Sequence, residues 1–134
     1  MTNIEVQRTE HFSENRSWVF GTHGLDLTPG ITLDPALFTA ATHYPKGFVR
    51  SGIVLGKVTA TGLYGPYSAA AEDGRQKAVF HLFGSLRVRN RNGELLKKVG
   101  GAGFVHGAVT EAKLPPNHGL DAAAKTALSQ ILYI

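Results

Sequence analysis

Cysteine is absent from the 134-residue sequence. This absence excludes a disulfide scaffold, a thiolate zinc site and a cysteine nucleophile, so we expect the fold to be stabilised by packing. No apolar run approaches the ~20 residues of a membrane-spanning helix. The first residues, MTNIEVQRTEHF, contain no apolar signal segment either. We therefore expect a soluble protein, made in a cytoplasm, with no membrane partner.

The net charge is modest and positive, at +4, from 14 basic and 10 acidic residues. The pI near 9.6 allows either nucleic acid or an acidic protein as a partner and requires neither. The length is that of one domain. Hydrophobic residues make up 43% of the chain, which is enough for a packed core.

Glycine is abundant, with 16 residues, and 6 prolines interrupt the chain. Frequent turns favour short strands over long helices. Strands are predicted in FVRSGIVLGKVTA (48–60), AVFHLFGSLRVR (78–89, with a break near Gly84) and GFVHGAVTEAKL (103–114). In the second of these segments, apolar and polar residues alternate, which gives the strand two different faces. The apolar face comprises Phe80, Leu82, Leu86 and Val88, and the other face comprises His81, Ser85, Arg87 and Arg89. Asp73-Gly74 and Asn92-Gly93 are predicted turns.

One short helix is predicted near the C-terminus. Asp121 precedes AAAKTALSQ, and an apolar stripe at helical spacing follows Leu120, Ala124, Ala127, Leu128 and Ile131. The final ILYI is predicted to be a strand, and Asp34-Pro35 to start one helical turn through Phe38. The fold class is therefore mainly β: a small β-barrel or sandwich-like domain with one short C-terminal helix and a flexible N-terminal arm.

Residues 1–17 are polar and weakly patterned, and we divide the chain into an arm over 1–17 and a single domain over 18–134. The arm is either a frayed terminus or a segment that orders on a partner by adding a strand to it. Trp18 and Phe20 are interpreted as core anchors at the start of the domain, with an interface role as the alternative.

Two glycine-rich stretches resemble nucleotide-binding loops without matching them. Gly52, Gly56 and Lys57 have three bulky residues between the glycines, Val58 follows the lysine, and no helix comes next, so a strand covered on both faces is predicted instead of a phosphate loop. VGGAGFVHG (99–107) has His106 where a dinucleotide fingerprint needs glycine. A flexible turn or bulge is predicted there.

Nothing in the sequence indicates an enzyme. The histidines lack metal-ligand spacing, no two carboxylates are placed for acid–base work, and no serine lies in a nucleophile elbow. We predict no catalytic, cofactor-binding or metal-binding residues, and no cofactor.

A basic group surrounds the predicted second turn and comprises Arg87, Arg89, Arg91, Lys97 and Lys98. It is either a solvated strand face or a phosphate-binding groove. A groove for nucleic acid would also carry aromatic side chains for stacking, and His81 and Phe83 are the nearest candidates.

The order of the segments carries a family resemblance. GIVLGKVTATGLYGPY, then DGRQKAVFHLFGSLRV, HGAVTEAKLP and LDAAAKTALSQILYI resemble the lambda-type head decoration proteins of tailed phages over residues 48–134, and weakly at LTPGITLD. The resemblance implies a homotrimer on the outer surface of the expanded virion capsid, at three-fold and quasi-three-fold positions. There it would cement the shell against the pressure of packaged DNA.

The same resemblance implies an arm that orders on the major capsid protein, with no direct contact to nucleic acid. Residues 1–17 match that arm by position and composition only. The expected capsid contacts are Ile4, Val6 and Phe12, with Trp18 and Phe20 at the root of the arm. The alternative is a small β-barrel module that binds nucleic acid through its basic strand face.

Overall fold

Short strands dominate the computed structural model, which describes residues 14–22, 24–25 and 27–134. The strands in these residues are β1 Gly30–Leu33, β2 Phe48–Val49, β3 Val54–Lys57, β4 Tyr64–Pro66, β5 Ala78–Leu82, β6 Leu86–Arg87, β7 Val99–Phe104, β8 Gly107–Val109 and β9 Ile131–Tyr133. The helical elements are α1 Ala40–His43, α2 Ala122–Ala127 and the single 3-10 turns Pro35–Leu37 and Glu111–Lys113. The predicted mainly β class is confirmed.

Five of the strands close into a barrel in the order β1-β4-β3-β5-β7. The barrel closes because β1 pairs antiparallel with β7, with Gly30 opposite Ala102, and in parallel with β4, with Leu33 opposite Tyr64. The other neighbours are antiparallel. The described residues also form two small ladders outside the barrel, β2-β6 and the parallel pair β8-β9.

Strand β3 is apolar on both faces because each of its faces adjoins its own core. On β3, Leu55 contributes to one core and its neighbour Val54 to the other. The inner core comprises Ile31, Leu33, Phe38, Tyr44, Val49, Ile53, Leu55, Leu82 and Val88. The outer core comprises Trp18, Val54, Tyr67, Ala78, Phe104, Val109, Ala124, Leu128 and Ile131. The prediction that this strand is covered on both faces is confirmed, and the cover over Val54 comes from the same chain.

Helix α2 and strand β9 supply much of that cover. Asp121 caps α2 by accepting a hydrogen bond from the Ala124 amide at 2.8 Å, as the sequence predicted. Ala124 and Leu128 are buried, and Ala127, from the same predicted stripe, is exposed. The predicted turn at Asp34 is also present, as the 3-10 turn Pro35–Leu37.

Two predicted strands are interrupted. The 78–89 segment breaks between Leu82 and Leu86 into β5 and β6, near the predicted position. On its second face the structure differs from the predicted polar pattern at His81, which is 0% exposed and lies against the outer core, whereas Arg87 is exposed. The 103–114 segment divides at Val105 and His106 between two different sheets, β7 and β8.

The glycines at 99–107 were wrongly predicted to form a turn or bulge. Residues Val99–Phe104 form the barrel strand β7. A Cβ at Gly103 would lie 2.6 Å from Cγ of Phe80, and one at Gly101 would lie 2.6 Å from Cδ1 of Leu86. Glycine is present here because large side chains lie directly over the strand.

Candidate functional site

Trp18 is the anchor of the N-terminal segment. It is 1% exposed, as predicted for a core anchor, and its ring stacks on His81 at 5.7 Å and meets Phe104 edge-on at 5.2 Å. Phe20, predicted to be a second anchor, is instead 57% exposed. Its amide donates to the Ala108 carbonyl oxygen, so the backbone is held against β8 while the ring faces solvent.

A buried serine connects Trp18 to the residues that precede it. Trp18 Nε1 donates to Ser51 Oγ at 3.1 Å, and Ser51 Oγ donates to the Asn15 carbonyl oxygen, also at 3.1 Å. The Ser51 amide donates to Ser85 Oγ at 2.9 Å. Because Ser51 is buried and each of these groups is paired, the network adds directional contacts to the apolar packing of Trp18.

Residues 14–17, which the sequence assigned to the arm, are held on the body of the domain. The Glu14 carboxylate accepts from the Ser85 amide at 2.8 Å and from Ser85 Oγ at 3.0 Å. Arg16 Nε donates to the Phe83 carbonyl oxygen at 2.8 Å, and its guanidinium carbon lies 4.4 Å from the centre of the Phe83 ring. The described part of the predicted arm is therefore held on the domain from residue 14 onward, and the predicted contacts Ile4, Val6 and Phe12 lie outside the described residues.

A histidine–tyrosine pair lies beneath Trp18. His81 Nδ1 is 2.7 Å from the Gly52 carbonyl oxygen, which can only accept, so Nδ1 carries the proton. Nε2 then accepts from the Tyr133 hydroxyl at 2.7 Å. Desolvation by burial lowers the pKa of His81 to about 4, and burial also raises the pKa of Tyr133. Both groups are neutral near pH 7, which suits a structural link between β5 and β9.

A pocket of about 460 Å³ opens beside this network. Its polar lining comprises Asn15, Ser51 and Ser85 together with three cationic residues, Lys46, Arg50 and Lys113. The rest of the lining is apolar and comprises Phe48, Leu114, Pro115 and Pro116. Sequence reasoning missed this site, because its lining comes from four separated parts of the chain and no local motif marks it.

The basic group proposed from the sequence is only partly available for binding. Arg89 donates to the Gly93 carbonyl oxygen at 2.8 Å and lies over the Tyr44 ring at 5.3 Å, so its guanidinium braces the predicted turn. Arg87 faces Phe48 across the β2-β6 ladder. The other three members, Arg91, Lys97 and Lys98, are exposed.

The loop-like glycines near β3 do not form a phosphate cradle. Gly56 and Lys57 lie inside β3, as predicted, and Lys57 is exposed. A Cβ at Gly56 would lie 2.6 Å from Cα of Arg75, so this glycine permits close backbone packing.

No group of three or more histidine and acidic residues that could hold a metal ion occurs among the described residues. In the same part of the chain, no helix has the length and apolar character needed to cross a membrane. Comparison of the sequence and structure with protein-family models, with curated proteins and with solved structures found no match.

Proposed function

We propose that this protein is a capsid decoration protein. It binds as a homotrimer to the outer surface of an expanded phage head, at three-fold and quasi-three-fold positions. There it contacts the major capsid protein and stabilises the shell against the pressure of packaged DNA. It belongs to the virion and performs no catalysis.

The observation that carries the proposal is the anchored root of the N-terminal segment. Glu14 and Arg16 are tied to the body through Ser85 and Phe83, and Trp18 is buried in the outer core. A segment that leaves a rigid body from a fixed point can be offered to a shell in a defined direction. Three such segments on a trimer bind with a high effective concentration once the first is engaged.

The architecture supports the same proposal. Two cores in a small chain give a rigid body, and the outer one includes both Trp18 and Ile131. A protein that cements a shell works by binding, and strand addition by the arm gains affinity from main-chain hydrogen bonds. The family resemblance of residues 48–134 supports this function independently of the geometry.

Cosedimentation with expanded, empty heads of its own phage tests the proposal. We expect the full-length protein to saturate the heads and to elute alone with three times the 14.4 kDa chain mass. A variant lacking residues 1–13 keeps the hydrogen bonds of Glu14 and Arg16 to the domain and the ring packing of Trp18 against Phe104. We expect it to remain trimeric and to lose capsid binding.

Leu95→Ser is the matched control, because Leu95 is an exposed apolar residue that pairs with Arg89 next to the Asn92-Gly93 turn. It should bind heads as the unmodified protein does. A monomer without affinity for heads would refute the proposal. Tight binding to single-stranded DNA with a steep salt dependence would favour the nucleic-acid alternative instead.

A further inference from the structure

We propose that the pocket at the arm root is a recognition site for carboxylates, which takes an acidic, apolar-flanked segment of a protein partner. The three cations that stand around it are Lys46, Arg50 and Lys113, and none of the described residues that line it is acidic. All three are solvent-exposed. A concave site lined by charge of one sign raises the local concentration of oppositely charged groups.

The carboxylates next to the pocket have partners other than its three cations. Glu14 accepts two hydrogen bonds from Ser85, which itself lines the pocket, and Glu111 pairs with Lys125 at 2.8 Å. Among the described residues, none of the pocket's three cations takes part in an ion pair. Repulsion between them is relieved when an anion enters, which adds to the direct attraction.

The backbone that carries the three cations is held in place. Arg50 precedes Ser51, whose amide and hydroxyl are fixed by the buried network. Lys46 lies in a turn closed by the hydrogen bond from the Gly47 amide to the Tyr44 carbonyl oxygen. Lys113 ends the 3-10 turn Glu111–Lys113. A site whose backbone is already ordered loses less conformational entropy on binding.

The shape and lining favour a peptide over nucleic acid. A volume of about 460 Å³ falls in the range of pockets that enclose one small ligand or a few side chains. Phe48, Leu114 and Pro115 give it an apolar side suited to the residues that flank a carboxylate. Single-stranded nucleic acid instead requires a long basic groove with exposed aromatic platforms.

The position of the pocket connects it to the proposed function. Of this inference, only the identity of the partner depends on that function. Asn15 lines the pocket and belongs to the N-terminal segment held on the domain, so a surface engaged by residues before 14 would lie next to the three cations. An acidic segment of the shell protein is therefore the expected occupant. The affinity for carboxylates is a property of the isolated protein and is measured without capsids.

The test is a titration of the full-length protein, followed by amide NMR, with the capped peptide Gly-Glu-Leu-Glu-Gly. Its Gln-for-Glu analogue, inorganic phosphate and a short oligothymidylate are the other probes. We expect the acidic peptide to shift the amide signals of Ser51, Lys113 and Leu114. The pair R50Q and K113Q, combined, should weaken binding at least about ten-fold, because two charge-assisted hydrogen bonds are lost. The double variant K57Q and K77Q removes the same charge from exposed sites outside the pocket and should bind normally.

Equal loss in both double variants would show nonspecific charge attraction and overturn the proposal. Binding of phosphate but not of the peptide would show a site for small ions. Binding of the oligonucleotide more tightly than the peptide would show a nucleic-acid site. Either result overturns the proposal. Capsid binding by the R50Q and K113Q variant at undiminished strength would overturn the role of the pocket and leave the decoration function standing. If the protein binds the peptide but does not bind capsids, the decoration function is overturned and the carboxylate site stands.

Discussion

Tyr133, in the last strand, donates its hydroxyl proton to Nε2 of His81, in the barrel, over 2.7 Å. The two residues are 52 positions apart, and the ring of His81 is in turn stacked on Trp18. One imidazole therefore contacts the barrel, the C-terminal strand and the N-terminal anchor. Protonation of His81, or loss of its hydrogen bonds, should therefore weaken the packing of these three elements on one another.

Removing the tyrosine hydroxyl should destabilise the fold. Tyr133→Phe leaves the buried Nε2 of His81 without a donor, and we expect the free energy of unfolding to fall by about 1–3 kcal/mol. Urea denaturation followed by tryptophan fluorescence measures the change. Tyr64→Phe is the control, because the Tyr64 hydroxyl makes no hydrogen bond within the described residues, and it should have little effect. Equal effects of the two substitutions would contradict the role given to the His81 pair.

Acid should destabilise the protein through the same histidine. The pKa of His81 is lowered to about 4 in the folded state from an ordinary value of 6.5. Below pH 6.5 the unfolded chain gains a proton that the folded chain does not, so stability is complete above that pH. It is lost as the pH falls towards 4, by about 3 kcal/mol in total. Denaturation at a series of pH values measures the loss, and an NMR titration of the His81 ring checks its origin. A midpoint for that ring at the ordinary histidine value would refute the assignment.

Glycine in β7 should be required at one position and dispensable at another. Gly103→Ala places a methyl group against the Phe80 ring, where Cβ would lie 2.6 Å from Cγ, and we expect a loss of about 1–3 kcal/mol. Gly100→Ala, in the same strand, meets nothing within 4 Å and should be neutral or slightly stabilising. Thermal unfolding of the two variants compares them directly, and similar losses in both would argue against close packing over Gly103.

Truncation should reveal where the body of the domain begins. Removing residues 1–13 leaves the hydrogen bonds of Glu14 to Ser85 and of Arg16 to Phe83 in place, so we expect a smaller change in Tm than for the longer truncation. Removing residues 1–17 deletes the partners of Ser51, Ser85 and Phe83. The Tm should then fall by about 4 °C for each kcal/mol lost. Differential scanning calorimetry provides the comparison, and an unchanged Tm in the protein that begins at Trp18 would place the root there instead.

Local features of the fold were predictable from the sequence because their causes are local. The branched residues around Val54 form a strand, Asp121 caps α2, and Gly74 and Gly93 adopt positive φ at the predicted turns. Closure of the barrel depends on the parallel contact between Leu33 and Tyr64, which alternation within one strand does not encode.

The candidate site was harder to predict from the sequence, because it is formed by contacts between residues far apart in the chain. His81 occupies a position that alternation assigns to a polar face, and only the distant Tyr133 and Trp18 make its burial favourable. The pocket likewise joins Lys46 and Arg50 to Lys113, whose separation in sequence carries no recognisable spacing. For Phe20, aromatic character alone predicted burial, whereas the backbone pairing with β8 turns its ring to solvent.

The composition of the outer core constrains the order in which parts of the chain fold. Trp18 shares this core with Leu128 and Ile131, which lie far along the chain from it. Contacts between such distant parts of a chain form only after the intervening segment is in place. Trp18 and the residues around it are therefore fixed on the domain only after Leu128 and Ile131 have joined the outer core.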